Sequence, residues 1–270
     1  MEALRGQKLN LIRELVLKDL KIRYSRPVLG FLWAFLSPLL IVAIFYIVFG
    51  LFLKVKIEEA PFVLYLMSGI FPWVFFQDSV LKSATSLMDN KNLIRESGFS
   101  NYLVPISIVL ANFVIFLPSL LIVVASSLFI FKTLPVFIIF LPFILAFHLA
   151  VSMGCAVIAS ILYVKWRDLK YILEAVMYLF FYLTPTCYSL SIVKESISPV
   201  LFKAYLYNPL VGILTLYRIS FLKGFAGQAD KYMILPLVIV IQLIFIALIF
   251  MTAFYLYKRN KHTINDYLSY

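Results

Sequence analysis

Long apolar runs separated by short charged segments dominate the pattern of the chain. A helix needs about 20 apolar residues to cross the roughly 30 Å hydrocarbon core of a bilayer, and runs of that length recur along most of the sequence. Strands of a membrane barrel would instead alternate apolar and polar residues over about ten positions. The pattern therefore predicts an all-α integral membrane protein with six transmembrane helices, at 31–53, 62–82, 103–131, 135–163, 171–190 and 232–257.

The segment before the first span is amphipathic. At about 100° per residue, its polar positions Asn10, Glu14, Lys18 and Lys21 form one narrow stripe, and apolar residues cover much of the remaining surface. This pattern is typical of a helix that lies in the membrane interface. We expect residues 1–30 to form a tail that contains such an interface helix.

The distribution of Lys and Arg predicts the orientation of the spans. Cytoplasmic segments of membrane proteins are enriched in these residues, and both termini and every second connection carry most of them here. Sixteen of the 24 lie in residues 1–30, 82–101, 164–170 and 258–270. We therefore expect both termini to be cytoplasmic, with a six-span transmembrane domain at 31–257 and a cytoplasmic tail at 258–270.

The connection at 191–231 is too apolar for a solvated loop. Its two apolar pieces, Pro199 to Leu206 and Pro209 to Leu222, are too short to span a bilayer and are broken by Pro and Gly. Short broken apolar segments of this kind suggest re-entrant or interfacial helices. We expect them on the periplasmic side between the last two spans; a small folded cap is the alternative.

The overall composition agrees with a membrane protein. Hydrophobic residues make up 63% of the chain and charged residues 14%, against roughly 45–50% and 25% in soluble domains. The net charge of +11 does not indicate nucleic acid, because the cations flank apolar spans, where they meet anionic lipid headgroups. Cys155 and Cys187 lie within predicted spans and are expected to act as small apolar residues.

The chain carries none of the motifs G-x-x-x-x-G-K-[ST], H-E-x-x-H, C-x-x-C or G-x-S-x-G. We therefore predict no catalytic or metal-binding residues and no enzymatic activity; ATP-driven work would need a separate ATP-binding subunit. His148 is expected to hydrogen-bond to a neighbouring helix. Glu58 and Glu59 leave open a membrane glycosyltransferase with a carboxylate base, although a solvated turn that offsets Lys54 and Lys56 is the favoured interpretation.

An aromatic and acidic stripe marks the fifth predicted span. Hydroxylated rings that share one helix face can stack on sugars while their polar tips replace water. Tyr46 and Phe49 of the first span could extend such a glycan path; core and interface packing is the alternative. The stripe consists of Tyr171, Glu174, Tyr178 and Tyr182.

The connection between the second and third spans has a helical pattern of its own. Leu87, Asn90/Lys91 and Ile94 could line one side of a short helix, and Gly98 could end it before Pro105 begins the next span. A groove in a partner protein is one recipient for such a segment, and an interfacial connector is the alternative. We expect this coupling segment at 83–101.

Four segments of the chain carry a resemblance to a known family. In order, they are RELVLKDLKIRYSRPVLGFLWAFLSP (Arg13 to Pro38), NLIRESGFSNYLVPIS (Asn92 to Ser107), KWRDLKY (Lys165 to Tyr171) and YNPLVGILTLYR (Tyr207 to Arg218). They resemble the ABC-2-type permease subunits that export polysaccharides, and among these the O-antigen permeases most. Pro27 stands where that family often has Ser, and SGFSNYLVP is looser than the family's aromatic-Phe-Pro pattern. The six-span layout extends the resemblance to nearly the whole chain.

The resemblance implies a homodimer in the bacterial inner membrane, with two copies of an ABC ATP-binding subunit docked beneath it. ATP and Mg would bind that partner, no cofactor would bind this chain, and the substrate would be a lipid-linked polysaccharide. A permease for a drug or small lipid shares the layout and stays the nearest alternative, ahead of a membrane glycosyltransferase or polymerase.

The resemblance also implies roles for particular residues. The lipid pyrophosphate would contact Arg23, Arg26 and Lys170, since paired cations suit phosphate. The periplasmic gate, within 191–231, would include Asn208, Pro209, Tyr217 and Arg218. The residues implied in ATPase docking are Asp89, Asn92, Leu93, Ile94, Arg95, Glu96 and Phe99.

Overall fold

The computed structural model describes residues 2–25, 29–55, 57, 60–97 and 100–269. Over these residues the chain is helical and contains no β-strand, which confirms the predicted all-α class. Short 3-10 helices at Gly30–Leu32 and Val136–Phe140 precede α2 and α6, and a π-helical segment at Tyr46–Phe52 continues α2. The α-helices are α1 (Glu2–Tyr24), α2 (Trp33–Phe45), α3 (Phe62–Asp89), α4 (Lys91–Ser97), α5 (Leu103–Phe131), α6 (Leu141–Lys165), α7 (Leu169–Leu183), α8 (Leu190–Ser196), α9 (Pro199–Leu206), α10 (Pro209–Phe221), α11 (Phe225–Ala229) and α12 (Leu235–Ser269).

Five helical stretches within the described residues are long and apolar enough to cross a membrane. They match the first, second, third, fourth and sixth predicted spans, so these five predictions are confirmed at the level of length and composition. The stretches are Trp33–Phe52, Phe62–Asp89, Leu103–Phe131, Val136–Lys165 and Leu235–Asn260.

The prediction of a continuous fifth span at 171–190 is wrong. Helix α7 has 15 residues and ends at Leu183, which gives it a length of about 22 Å. Thr184 has an extended backbone, with φ −100° and ψ 149°, because a residue before proline avoids the helical region and Pro185 cannot donate a backbone hydrogen bond. A buried turn over residues 184–189 therefore follows the helix.

Helices α9 and α10 form a bent pair. They meet at an angle of 70° and together are long and apolar enough to form one broken span. Asn208 lies at the break, where its side chain accepts a hydrogen bond of 2.9 Å from the backbone N–H of Leu210 and so caps α10. Whether this pair re-enters or crosses the membrane stays a prediction.

Helix α3 is the centre of the bundle. It packs against α2, α5, α6, α7 and α10, and its buried serines let neighbouring helices approach closely. Ser68 and Ser86 bond to carbonyls of their own helix, Tyr65 O at 2.8 Å and Ser83 O at 2.6 Å. In contrast, most side chains of α2 and α7 are exposed or only half-buried within one chain. Those two helices present the faces that can meet lipid or another protein.

Candidate functional site

Two adjoining cavities form a cleft along α1, α3 and α5. Their volumes are about 280 Å³ and about 410 Å³. Arg23 of α1 and Lys82 of α3 line both cavities, so two cationic side chains stand where the cavities meet. We call the two cavities together the α1–α3–α5 cleft.

The two ends of the α1–α3–α5 cleft differ in polarity. The larger cavity is lined by charged and polar side chains that include Lys18, Asp19, Thr85, Asp89, Asn90 and Ser107. The smaller one is lined mainly by apolar and aromatic side chains that include Trp33, Phe71, Val74, Phe75, Ile115 and Phe116. The cleft can therefore hold a molecule that is charged at one end and oily at the other.

Arg23 joins α1 to the interior of the bundle. Its Nη1 donates to Asn112 Oδ1 at 2.5 Å, and its Nη2 lies 2.7 Å from Asp19 Oδ2. Asn112 is buried, and its Nδ2 donates to Ser79 Oγ at 3.4 Å. Since Asn112 lies well inside α5 and Leu15 of α1 is buried, α1 packs along α5. The predicted helix is confirmed; its position in the membrane interface stays a prediction.

The carboxylate that pairs with Arg23 is partly desolvated. Burial raises the pKa of Asp19 above its ordinary value, although Arg23, Lys82 and Lys18 act in the opposite direction. The charged form of Asp19 therefore gains less from its surroundings than it loses by leaving water. An anion that brings more negative charge can compete with Asp19 for Arg23.

Lys82 has a similar intrahelical partner. It forms an ion pair with Asp78, one turn earlier in α3, and both side chains are 43% exposed. An exposed pair of this kind contributes only about 0–1 kcal/mol. Lys82 can therefore exchange Asp78 for a bound anion at little cost.

The other two predicted phosphate contacts are Arg26 and Lys170. Arg26 falls outside the described residues. Lys170 is exposed at the start of α7 and is not among the side chains that line either cavity.

Asn90 is the residue that connects α3 to α4; we call it the elbow between the two helices. Its Nδ2 donates to Ser86 O at 2.9 Å and so closes the last turn of α3. Its Oδ1 accepts a hydrogen bond of 3.1 Å from Lys18 Nζ. The elbow is thereby connected to α1, and through α1 to Arg23.

Helix α4 is anchored on one side and exposed on the other. Ile94 is buried in a small apolar cluster with Leu87, Val104 and side chains of α6 and α12. Residues 83–89 all belong to α3 rather than to a separate helix. Of the predicted docking residues, Asn92 and Arg95 are exposed and Leu93 is half-buried. Asp89 accepts a hydrogen bond of 2.6 Å from the Thr85 hydroxyl. The side chain of Glu96 and the whole of Phe99 lie outside what the structure describes.

The tyrosine stripe of α7 faces away from its own bundle. Tyr171, Tyr178 and Tyr182 are 70%, 64% and 63% exposed, whereas Met177 is buried and Phe181 packs against the core. Glu174 is half-buried between the two faces. We call the three exposed rings the tyrosine face.

The first span contributes aromatic rings beside α7. Phe45 stacks on Phe49 at a centroid distance of 5.8 Å and contacts Phe181 of α7 at 5.4 Å. Tyr46 lies 6.5 Å from the ring of Phe62. Both predicted path residues of the first span are half-buried next to the helix that carries the tyrosine face.

The four predicted gate residues lie around α10. Asn208 and Pro209 begin the helix, and Gln242 of α12 donates to Pro209 O at 2.6 Å. Tyr217 and Arg218 are fully buried, so neither lines an open passage. Because Arg218 is inside the bundle, it is not one of the loop cations that determine orientation.

His148 bonds to a neighbouring helix, as the sequence predicts. Its Nδ1 lies 3.1 Å from Tyr217 Oη, and its ring packs edge-on against Phe75. Within the described ranges, no group of three or more His, Cys, Asp and Glu side chains is placed to hold a metal ion.

Several members of the site were not identified from the sequence. Asn112 carried a signal, since a polar side chain inside an apolar run points to a buried partner. Asn90 and Lys18 each fit a helical pattern in the sequence, but nothing in the pattern joins the two helices. Lys82 stands out in the sequence only as a charge, because the sequence does not tell which helices meet.

The bond between Arg23 and Asn112 is testable in a double-mutant cycle. Asn112→Leu should lower the free energy of unfolding by about 1–3 kcal/mol, because an N–H of the partly buried Arg23 guanidinium loses its acceptor. Arg23→Met should remove most of that penalty when combined with Asn112→Leu. Thermal unfolding of the purified variants measures the coupling; strictly additive effects would contradict the contact.

Comparison with known proteins places the chain in a family. No family model matches it. It is 30% identical over 237 residues, 86% of this chain and 88% of the relative, to the O-antigen export system permease protein RfbA of Myxococcus xanthus. Two proteins of the same name from Klebsiella pneumoniae are each 30% identical over 221 residues, 81% of this chain and 83% of theirs. The chain belongs to the family of O-antigen export system permeases.

Proposed function

We propose that this chain is the membrane-spanning subunit of an ATP-driven ABC transporter that exports a lipid-linked, O-antigen-like polysaccharide across the bacterial inner membrane. Two copies form the transmembrane part, and two separate ATP-binding subunits dock beneath them with ATP and Mg. The observation that carries this proposal is the α1–α3–α5 cleft, charged at one end and apolar at the other.

The α1–α3–α5 cleft suits the lipid end of such a substrate. A diphosphate offers several charged oxygens, and charge-assisted bonds to Arg and Lys are about twice as strong as neutral ones. The diphosphate would displace Asp19 from Arg23 and Asp78 from Lys82. Both carboxylates are weakly held, because Asp19 is partly desolvated and the pair of Asp78 with Lys82 is partly exposed. The hydrocarbon chain of the carrier lipid would then lie against Phe71, Phe116 and the neighbouring apolar side chains.

The glycan would pass along the tyrosine face. Exposed rings with polar tips suit sugars, which present both apolar faces and hydroxyl groups. In a homodimer, two such faces can enclose a path that neither copy forms alone. Glu174, Tyr46 and Phe49 would border this path, since they lie half-buried on the same helix or beside it.

The exposed side of α4 is the proposed contact for the ATP-binding subunit. Ile94 holds α4 to α5, α6 and α12, so a displacement of α4 is transmitted to those helices. The bond from Lys18 to Asn90 extends the same connection to α1. Motion driven by the partner's ATP hydrolysis would thereby reach the α1–α3–α5 cleft.

The proposed orientation follows the distribution of Lys and Arg, and the proposed gate follows the resemblance to the permease family. Both termini would be cytoplasmic, and α8 to α11 would lie on the periplasmic side as re-entrant or interfacial helices. Asn208 and Pro209, which fix the bend between α9 and α10, would form part of the exit gate together with the buried Tyr217 and Arg218.

A permease for a drug or small lipid is the second candidate. The smaller cavity, at about 280 Å³, is close to the lower end of the roughly 300–1,000 Å³ usual for small-molecule pockets. A small, mainly apolar molecule is therefore the alternative occupant. Cells that lack this chain distinguish the two functions. Loss of a polysaccharide exporter leaves lipid-linked glycan on the cytoplasmic leaflet, whereas loss of a drug pump leaves the envelope polymer intact.

The double variant Arg23→Ala with Lys82→Ala tests the binding of the diphosphate. Export of the polysaccharide, measured as glycan on the cell surface in the deletion strain, should fall about tenfold or more, as expected when two charge-assisted contacts are lost. Lys132→Ala removes an exposed cation at the opposite end of α5 and serves as the control. Equal export by the double variant and the control would refute this site.

Charge reversal on α4 tests docking. Arg95→Glu should reduce ATPase activity that depends on the permease, because Arg95 is exposed beside the anchored Ile94, while membrane insertion stays normal. Lys258→Glu reverses an exposed cation of α12 as the matched control. Unchanged coupled turnover in Arg95→Glu would remove α4 from the mechanism.

The tyrosine face is tested by Tyr178→Ala with Tyr182→Ala. Because both rings are exposed, their removal should leave the melting temperature of the purified chain nearly unchanged and should reduce glycan export strongly. Leu179→Ala with Leu183→Ala changes two neighbouring exposed side chains of α7 as the control. If the tyrosine variant loses as much folded protein as export, the rings serve packing alone.

A further inference from the structure

Arg218 is a fully buried cation in the last turn of α10. Its guanidinium lies over the ring of Tyr65, with Cζ 3.7 Å from the ring centroid. Its Nη2 donates to Thr186 O at 3.0 Å and also to Pro185 O. A buried charge is costly unless it is paired or hydrogen-bonded, so the contacts of Arg218 indicate which groups it stabilises.

The turn after α7 needs such a donor. Residues 184–187 are buried, and a backbone carbonyl at that depth must find a partner within the protein. Thr184 and Thr186 hydroxyls already bond to Phe180 O and Phe181 O at 2.8 and 3.0 Å. Arg218 supplies the donor for the carbonyls of Pro185 and Thr186.

Helix α3 contacts the same turn from the other side. A Cβ at Gly69 would lie 2.5 Å from Thr186 O and 2.9 Å from Arg218 Nη2, so only glycine leaves room for this contact. Tyr65 Oη donates to Tyr188 O at 2.8 Å. The turn is therefore held between α3 and α10 through its backbone.

The turn is joined directly to the tyrosine face. Tyr188 Oη donates to Tyr182 O at 2.8 Å, and Tyr182 is the last ring of that face. Any movement of the turn must therefore move the end of α7. The planar guanidinium fits this position because it stacks on a ring and bonds two carbonyls at once, which a lysine ammonium cannot do in the same way.

We propose that Arg218 is a positioning residue for export: it locks the C-terminal end of α7 to α10 and α3, so that the tyrosine face and the bent pair α9–α10 move as one body. Its importance for transport rests on the proposed function. The lock itself is a local contact and can be measured without transport.

Cys187 lies inside the turn and reports on the lock. It is 4% exposed and contacts Thr186, whereas Cys155 lies in α6, remote in sequence from the turn. The full transporter is treated with a maleimide, and labelling of each cysteine is followed by mass spectrometry in the same sample. Cys155 thereby reports on general loosening of the fold.

Arg218→Met should raise the labelling rate of Cys187 about tenfold or more, because local opening becomes easier once the carbonyls lose their donor. Arg218→Lys should lie between Arg218→Met and the unmodified chain. The rate for Cys155 should stay unchanged in both variants. Continued protection of Cys187 in Arg218→Met, or an equal rise at both cysteines, would overturn the lock.

A second pair of variants leaves Arg218 in place. Gly69→Ala should expose Cys187 in the same way, since the new methyl group displaces Thr186 O. Gly227→Ala makes the same exchange in α11, where a Cβ meets nothing within 4 Å, and should keep Cys187 protected. Protection of Cys187 in Gly69→Ala would contradict the close contact on which the proposal depends.

Export in the deletion strain completes the test. Arg218→Met and Gly69→Ala should both lower surface glycan below the level of the unmodified chain. If Cys187 becomes exposed while export stays normal, Arg218 is not a positioning residue, although the proposed function stands. If the unmodified chain restores no export, the proposed function fails, and the cysteine labelling still decides whether the lock exists.

Discussion

Every polar group at membrane depth must find its partner inside the protein, because the bilayer core offers no water. This constraint explains the internal contacts of the bundle. Serines of α3 bond to their own helix, His148 meets Tyr217, and Arg218 satisfies the turn after α7. The polar side chains inside the bundle are therefore connections between helices.

The same constraint explains why the cations in the cleft between α1, α3 and α5 are paired. Arg23 and Lys82 pair with carboxylates of their own helices, so the charges of both cations are balanced within the chain. Its partners are weakly held, because Asp19 is partly desolvated and Asp78 is partly exposed. A diphosphate would find two cations at small cost, next to an aromatic lining that suits a hydrocarbon chain.

Much of the fold follows from apolar run length, but the tertiary contacts do not. Five of the six predicted spans are long apolar helices. The fifth prediction is wrong at Pro185, where a buried turn ends the helix. The sequence does not reveal this turn, because its polar groups are buried through hydrogen bonds to α7 and Arg218 that depend on the tertiary structure. Tyr171, Tyr178 and Tyr182 share a face through helical spacing alone. The roles of Lys82 and Asn90 become visible only when α1 packs along α5 and brings Arg23 and Lys18 close to them.

The central claim is that the cleft between α1, α3 and α5 receives the lipid-diphosphate end of a polysaccharide. Photocrosslinking tests it most directly: a polyprenyl-diphosphate glycan with a photoreactive group near the diphosphate is bound to the full transporter, and the attachment sites are mapped by mass spectrometry. The account predicts adducts on peptides of α3 and α5 around Val74 and Ile115, suppressed by unlabelled substrate. Adducts confined to α12, or insensitive to that competition, would contradict it.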